Sequence, residues 1–151
     1  MSRIVCSLAM AIALAGAASA QSVTQCLGNI VSVENIAEPW DISTKTFSNG
    51  ATRLVLLDTV EPTVGAFHLM VLSPPYDELG NRQCRVISRD GVGTGFASLA
   101  LEGMVSEYDP KTGLKFDLPA QRFVPESGNF ASTRLTVTVN QATGAIEAEL
   151  Q

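Results

Sequence analysis

The sequence holds a single histidine, His68, and has no C-x-x-C pair, no G-x-S-x-G elbow and no block of like charges. Each absence excludes a chemistry. One histidine and at most a disulfide-locked cysteine pair make no typical zinc site. Without C-x-x-C there is no thioredoxin-like redox pair, and without the elbow no hydrolase of that type. The missing basic runs, with a formal charge of -5, argue against nucleic acid and anionic membrane surfaces as partners. Aromatic residues make up only 6% of the chain, few for the substrate groove of a glycosidase.

What is present begins with a leader. Arg3 supplies a small positive start, residues 4–15 are apolar apart from Ser7, and Ala18-Ser19-Ala20 is a small-x-small cleavage site. The apolar run is shorter than the roughly 20 residues a spanning helix needs. Residues 1–20 are therefore read as a cleaved signal peptide, and Cys6 stands at the wrong end of it for a lipid anchor. Residues 21–151 are read as one domain, large enough for a real core. The expected location is exported, periplasmic or secreted. In such an oxidising compartment Cys26 and Cys84 are expected to form a disulfide.

The remaining pattern is that of short strands. Segments 29–33, 42–47, 52–59, 66–72, 83–88, 96–108, 114–124, 130–139 and 145–150 alternate or run apolar between turn signals. Ser48-Asn49-Gly50, Asp109-Pro110-Lys111-Thr112-Gly113 and Asn140-Gln141-Ala142-Thr143-Gly144 read as hairpin turns, with Asp109 and Asn140 capping their own backbones. Residues 73–81 read as a surface loop and Asp90-Gly91-Val92-Gly93-Thr94-Gly95 as a flexible one. Segment 96–108 has the composition of a helix as well, but the turn at Asp109 needs an extended partner before it. The fold class that follows is all-β: an antiparallel β-sandwich of eight or nine short strands, with a small closed β-barrel as the alternative.

Candidate sites are sparse. Gly91-x-Gly93-x-Gly95 lacks the spacing and the following helix of a nucleotide loop. His68 lies in the apolar run Phe67 to Leu72, where a histidine is expected to be structural and hydrogen-bonded. Asp77 with Glu78, and Glu107 with Asp109, lack calcium-loop spacing and read as solvated turns. No catalytic, cofactor or metal residue is assigned. Trp40, Tyr76 and Tyr108 fall in or beside loops, where they could anchor a partner, although Trp40 is expected to plug one end of the core.

The middle strands carry more apolar surface than one core face needs. Leu54-Val55-Leu56-Leu57 and residues 67–72 are apolar on both faces, so a loop, a second subunit or a ligand must cover the surplus. Leu54, Leu56, Phe67, Leu69 and Val71 form the candidate interaction patch. Three functions follow. The first is a non-enzymatic exported β-domain that binds another envelope or secreted protein. The second is a barrel or sandwich that holds an apolar small ligand. The third is a small hydrolase.

Overall fold

A computed structural model describes residues 19–91 and 93–151. Apart from Ser19 and Ala20, the expected leader lies outside the described residues, as does Val92 of the glycine-rich turn. The described residues are all-β: eleven strands and two short 3-10 turns in two antiparallel sheets, which stay open and do not close into a barrel. Among the described residues no helix is long and apolar enough to cross a membrane.

The strands are β1 (Ser19–Ala20), β2 (Ser22–Gln25), β3 (Thr44–Phe47), β4 (Thr52–Asp58), β5 (Phe67–Tyr76), β6 (Arg82–Ser88), β7 (Ser98–Leu99), β8 (Val105–Asp109), β9 (Gly113–Val124), β10 (Asn129–Val139) and β11 (Ile146–Leu150). One sheet runs β2-β6-β5-β4-β3. The other runs β1-β11-β10-β9-β7, with β8 also paired to β9. The inward sets are those read from alternation: Leu54, Leu56, Leu69 and Val71 on one sheet, and Leu114, Phe116, Leu118, Leu135, Val137 and Val139 on the other. They meet in one buried cluster, which gives a sandwich-like arrangement.

The turns follow their chemistry. The Asp109 carboxylate accepts from the backbone N–H of Lys111 at 2.7 Å and of Thr112 at 3.1 Å. The side-chain oxygen of Asn140 does the same for Ala142 and Thr143, both at 3.1 Å. Gly113 takes φ 97° to close its hairpin. A Cβ there would also run into the backbone of Val139 and Asn140, so two constraints select glycine. The turns at 48–51, 109–113 and 140–144 gather at one end. Gln141 donates to Thr52 at 2.9 Å, and Asn140 to the Lys111 carbonyl at 3.4 Å.

Three expected elements are corrected. Residues 29–33 are not a strand. Gly28 turns at φ 74°, 3-10 turns follow at Asn29–Val31 and Val33–Asn35, and the Asn35 amide donates to the carbonyls of Asn29 and Ile30 at 2.7 and 3.3 Å. Such side-chain bonds compete with a strand ladder. The strand in this region is instead the short, polar β2. Residues 73–76 are the end of β5 and not a loop. Beyond Arg53↔Leu72 that strand pairs only with β6, so prolines 74 and 75 sit where one edge is open. There the Gln83 side chain donates to the Ser73 hydroxyl and the Pro74 carbonyl. Segment 96–108 contains no helix, but it breaks into β7 and β8 around a turn, and Val105 ends up exposed, unlike buried Leu99 and Leu101.

Candidate functional site

Alternation along β4, β5 and β6 leaves Val55, Leu57, His68 and Val86 pointing away from the inter-sheet cluster, yet each is at most 3% exposed. The chain's own N-terminal segment covers them. β2 and β3 lie at opposite edges of their sheet, and the inner face is occupied by the other sheet. The connection must therefore cross the outer face. It is tied at its start by the Cys26–Cys84 disulfide, with Cα atoms 5.4 Å apart. Further on it is tied to β4, where Ile36 bridges Leu57 and the Ala37 N–H donates to the Leu56 carbonyl at 2.9 Å. The surplus apolar face is thus roofed by the part of the connection that precedes Ile36, while Ala37 already joins the inter-sheet cluster and Ser43 bonds along the edge of β4.

Beneath this crossing segment lies a cleft of about 380 Å³. One wall is Asn29, Ile30, Glu34 and Asn35. The facing wall is Thr59, Glu61 and Pro62 of the β4–β5 turn. His68 contributes from β5 and Gly93 closes one side. His68 is 2% exposed. Its Nδ1 lies 2.9 Å from the buried hydroxyl of Ser88, while Nε2 has no hydrogen-bond partner among the described residues and the ring borders the cleft. Gly95 packs against the ring: a Cβ there would stand 2.9 Å from Nε2 and 2.6 Å from the Gly65 carbonyl oxygen.

Burial holds the His68 pKa below its ordinary 6.5, and the nearby Asp90 carboxylate offsets part of that effect. The sign for stability follows. The unfolded chain takes up a proton near pH 6.5 while the folded ring resists it, so stability is complete above pH 6.5 and falls as pH drops toward the folded value. We expect urea midpoints to decline across this window, and His68→Gln to remove that part of the slope. An unchanged slope in the variant would assign the effect to other groups.

The sequence-derived candidates divide. Cys26 and Cys84 are bonded. Leu54, Leu56, Leu69 and Val71 are buried in the core and Phe67 is partly buried against it, so the expected patch is not a surface. It comprises the inward residues of β4 and β5; the surplus positions are their neighbours Val55 and Leu57. Trp40 is 52% exposed on the crossing segment and does not plug the core. Tyr76 and Tyr108 are exposed, 51% and 64%, toward the end that carries the hairpin turns, while Trp40 lies near the opposite one. The three aromatics therefore do not form one platform. Asp77 folds its carboxylate onto the N–H groups of Leu79 and Asn81 and the Asn81 amide, as a turn residue does, and these bonds lower its pKa. Among the described residues no three His, Cys, Asp or Glu side chains converge to hold a metal.

Glu34, Asn35 and Glu61 escaped sequence reading. They come from separate segments, and only the path of the crossing segment brings them to His68. The usable signal was the second apolar face of β4, which announced a cover without saying where it would leave a gap. Comparison with protein-family models, with curated proteins and with solved structures finds no significant match for the chain.

Proposed function

We propose that this chain is an exported, non-enzymatic β-domain that binds another protein at the cell envelope. The observation that carries this reading is the apolar exposure on the crossing segment. Val33, Trp40 and Ile42 are 64%, 52% and 53% exposed, and Val60 and Val64 stand out on the neighbouring β4–β5 turn. Val60 adds a second sign. It is β-branched, 70% exposed and held at φ 67° by the Asp58 carboxylate, which accepts from its N–H at 2.8 Å. That conformation costs about 1–2 kcal/mol, and an exposed valine gains no packing in return. Such features collect at interaction sites. The leader and the Cys26–Cys84 bond support export. Cleavage after Ala20 would remove β1 and leave the edge of β11 held by the Gln21 N–H on the Ala148 carbonyl at 3.0 Å.

The apolar-ligand reading needs space between the sheets. The main clefts among the described residues open elsewhere, and none of these is lined by the inward residues of β4 and β5. A hydrolase would need its nucleophile and base to share accessible space. His68 does meet a hydroxyl and a cleft, but the hydroxyl of Ser88 is buried on the other side of the ring and does not line the cleft.

A photo-crosslinking residue placed at Val33 or Ile42, with Ser132 on the outer face of the other sheet as control, tests the proposal in envelope extracts. A discrete adduct is expected from Val33 and Ile42 only. No adduct, or the same adduct from Ser132, would remove the crossing segment as the binding surface.

A further inference from the structure

We propose that the cleft over His68 is a recognition site for a cationic amine or guanidinium group, carried by a free small molecule or by a lysine or arginine side chain. The inference stands whether or not the crossing segment binds a protein.

The reason is an imbalance of hydrogen-bonding groups. Most donors around the cleft are used internally, the Asn29 side-chain amide being the exception. The Asn35 amide NH2 donates to the Asn29 and Ile30 carbonyls, the Thr59 hydroxyl is placed on the Glu61 and Ala66 carbonyls, and the Gly93 N–H is on the Asp90 carbonyl. Apart from that amide, what is left over accepts. The Asn35 side-chain oxygen has no partner among the described residues, and Glu34 and Glu61 line the cleft from two separate segments. Acceptors thus outnumber donors, and two of them are carboxylates, so the cleft suits a ligand that brings donors and positive charge. Among the described residues no lysine or arginine lines it, and Arg89, whose guanidinium lies 3.2 Å from the Asp90 carboxylate, lines a different cleft. The local field favours a cation, and the carboxylates do not converge on a metal-sized point among the described residues.

The second, independent observation is His68 itself. A ring 2% exposed, bonded at Nδ1 and with no partner at Nε2 among the described residues, borders that space. In the tautomer in which Nδ1–H donates to the Ser88 hydroxyl, the neutral ring offers the Nε2 lone pair as one more acceptor, and this is the tautomer the proposal requires. Burial keeps the ring neutral near pH 7, which is the state this requires. An ammonium or guanidinium head would then donate to Nε2 and to the Asn35 oxygen, and lie between Glu34 and Glu61.

Because His68 is the only histidine, its ring resonances are unambiguous in NMR spectra of the folded protein. The probes are agmatine, a capped Gly-Lys-Gly peptide, and 1-butanol as a neutral control. Saturable shifts of the His68 ring signals are expected with at least one cationic probe, with the Nε2 signal moving as for an accepted hydrogen bond and no such change with butanol. Saturation by agmatine assigns the site to free amines, and saturation by the peptide alone assigns it to a partner's side chain. Glu34→Gln with Glu61→Gln should weaken binding about fivefold while the backbone spectrum stays folded, and added salt should weaken it further. No saturable shift with either cation, an equal response to butanol, or unchanged binding by the double variant would overturn the proposal.

Discussion

Replacing Cys26 and Cys84 together by serine lowers the stability of this protein by about 4 kcal/mol, the chain-entropy value for a loop of separation 58. In thermal unfolding this is a fall of roughly 10–20 °C for a domain of this size. The loss has a location as well as a size. Cys26 stands where the chain leaves β2 to cross the outer face, and the bond fixes that departure to the start of β6. Without it the crossing segment retains its bridge at Ile36↔Leu57 and its bond at Ala37 but loses its first anchor. Hydrogen exchange should rise first at residues 29–37, ahead of β9 and β10. A change of only about one degree in the melting temperature would show that the roof is held by its apolar contacts alone. Uniform acceleration across both sheets would show that the roof is not a separate unit.

Phe116→Ala is expected to cost about 3–5 kcal/mol. Phe116 has no exposed surface, sits in the longest strand between β8 and β10, and meets Phe47 across the two sheets with ring centroids 4.7 Å apart. Truncation leaves a hole that the strands cannot close, because ladders on both sides fix their spacing. Phe116→Leu, which keeps most of the volume, should cost about 1.5 kcal/mol or less. Phe130 supplies the contrast. It lies on the outer face, 53% exposed beside Phe123 at 5.7 Å, and Phe130→Ala should cost about 1 kcal/mol or less. Urea denaturation measures all three, with a constant m-value as the check on two-state behaviour. Equal losses at Phe116 and Phe130 would contradict the placement of the core.

Local chemistry carried much of the fold into view. Alternation along β9 and β10 is a period-two signal, and it marks the buried faces because a strand can turn only every second side chain inward. The Asp109 and Asn140 turns were readable for a similar reason: the side chain caps a backbone two or three residues away. Reading failed where the deciding partner was distant. Val31 and Val33 alternate as a strand would, but the Asn35 amide and the need to cross the sheet bend that segment into 3-10 turns. Pro74 and Pro75 look like a loop until β4 is known to end its pairing at Arg53. Trp40 reads as a core plug because nothing local shows that the outer face is roofed by other residues.

The sequence by itself determined the all-β class, the inward residues of the long strands, the hairpin turns and the cysteine pair, since each depends on neighbours a few residues apart or on redox chemistry. It also showed that β4 carries one apolar face too many. Only the tertiary structure decided what covers that face and where the cover leaves an opening. The reason is topological: a connection between opposite edges of a sheet whose inner face is filled must run over the outer one. That path, and not any motif, brings Glu34, Asn35 and Glu61 around the free edge of His68.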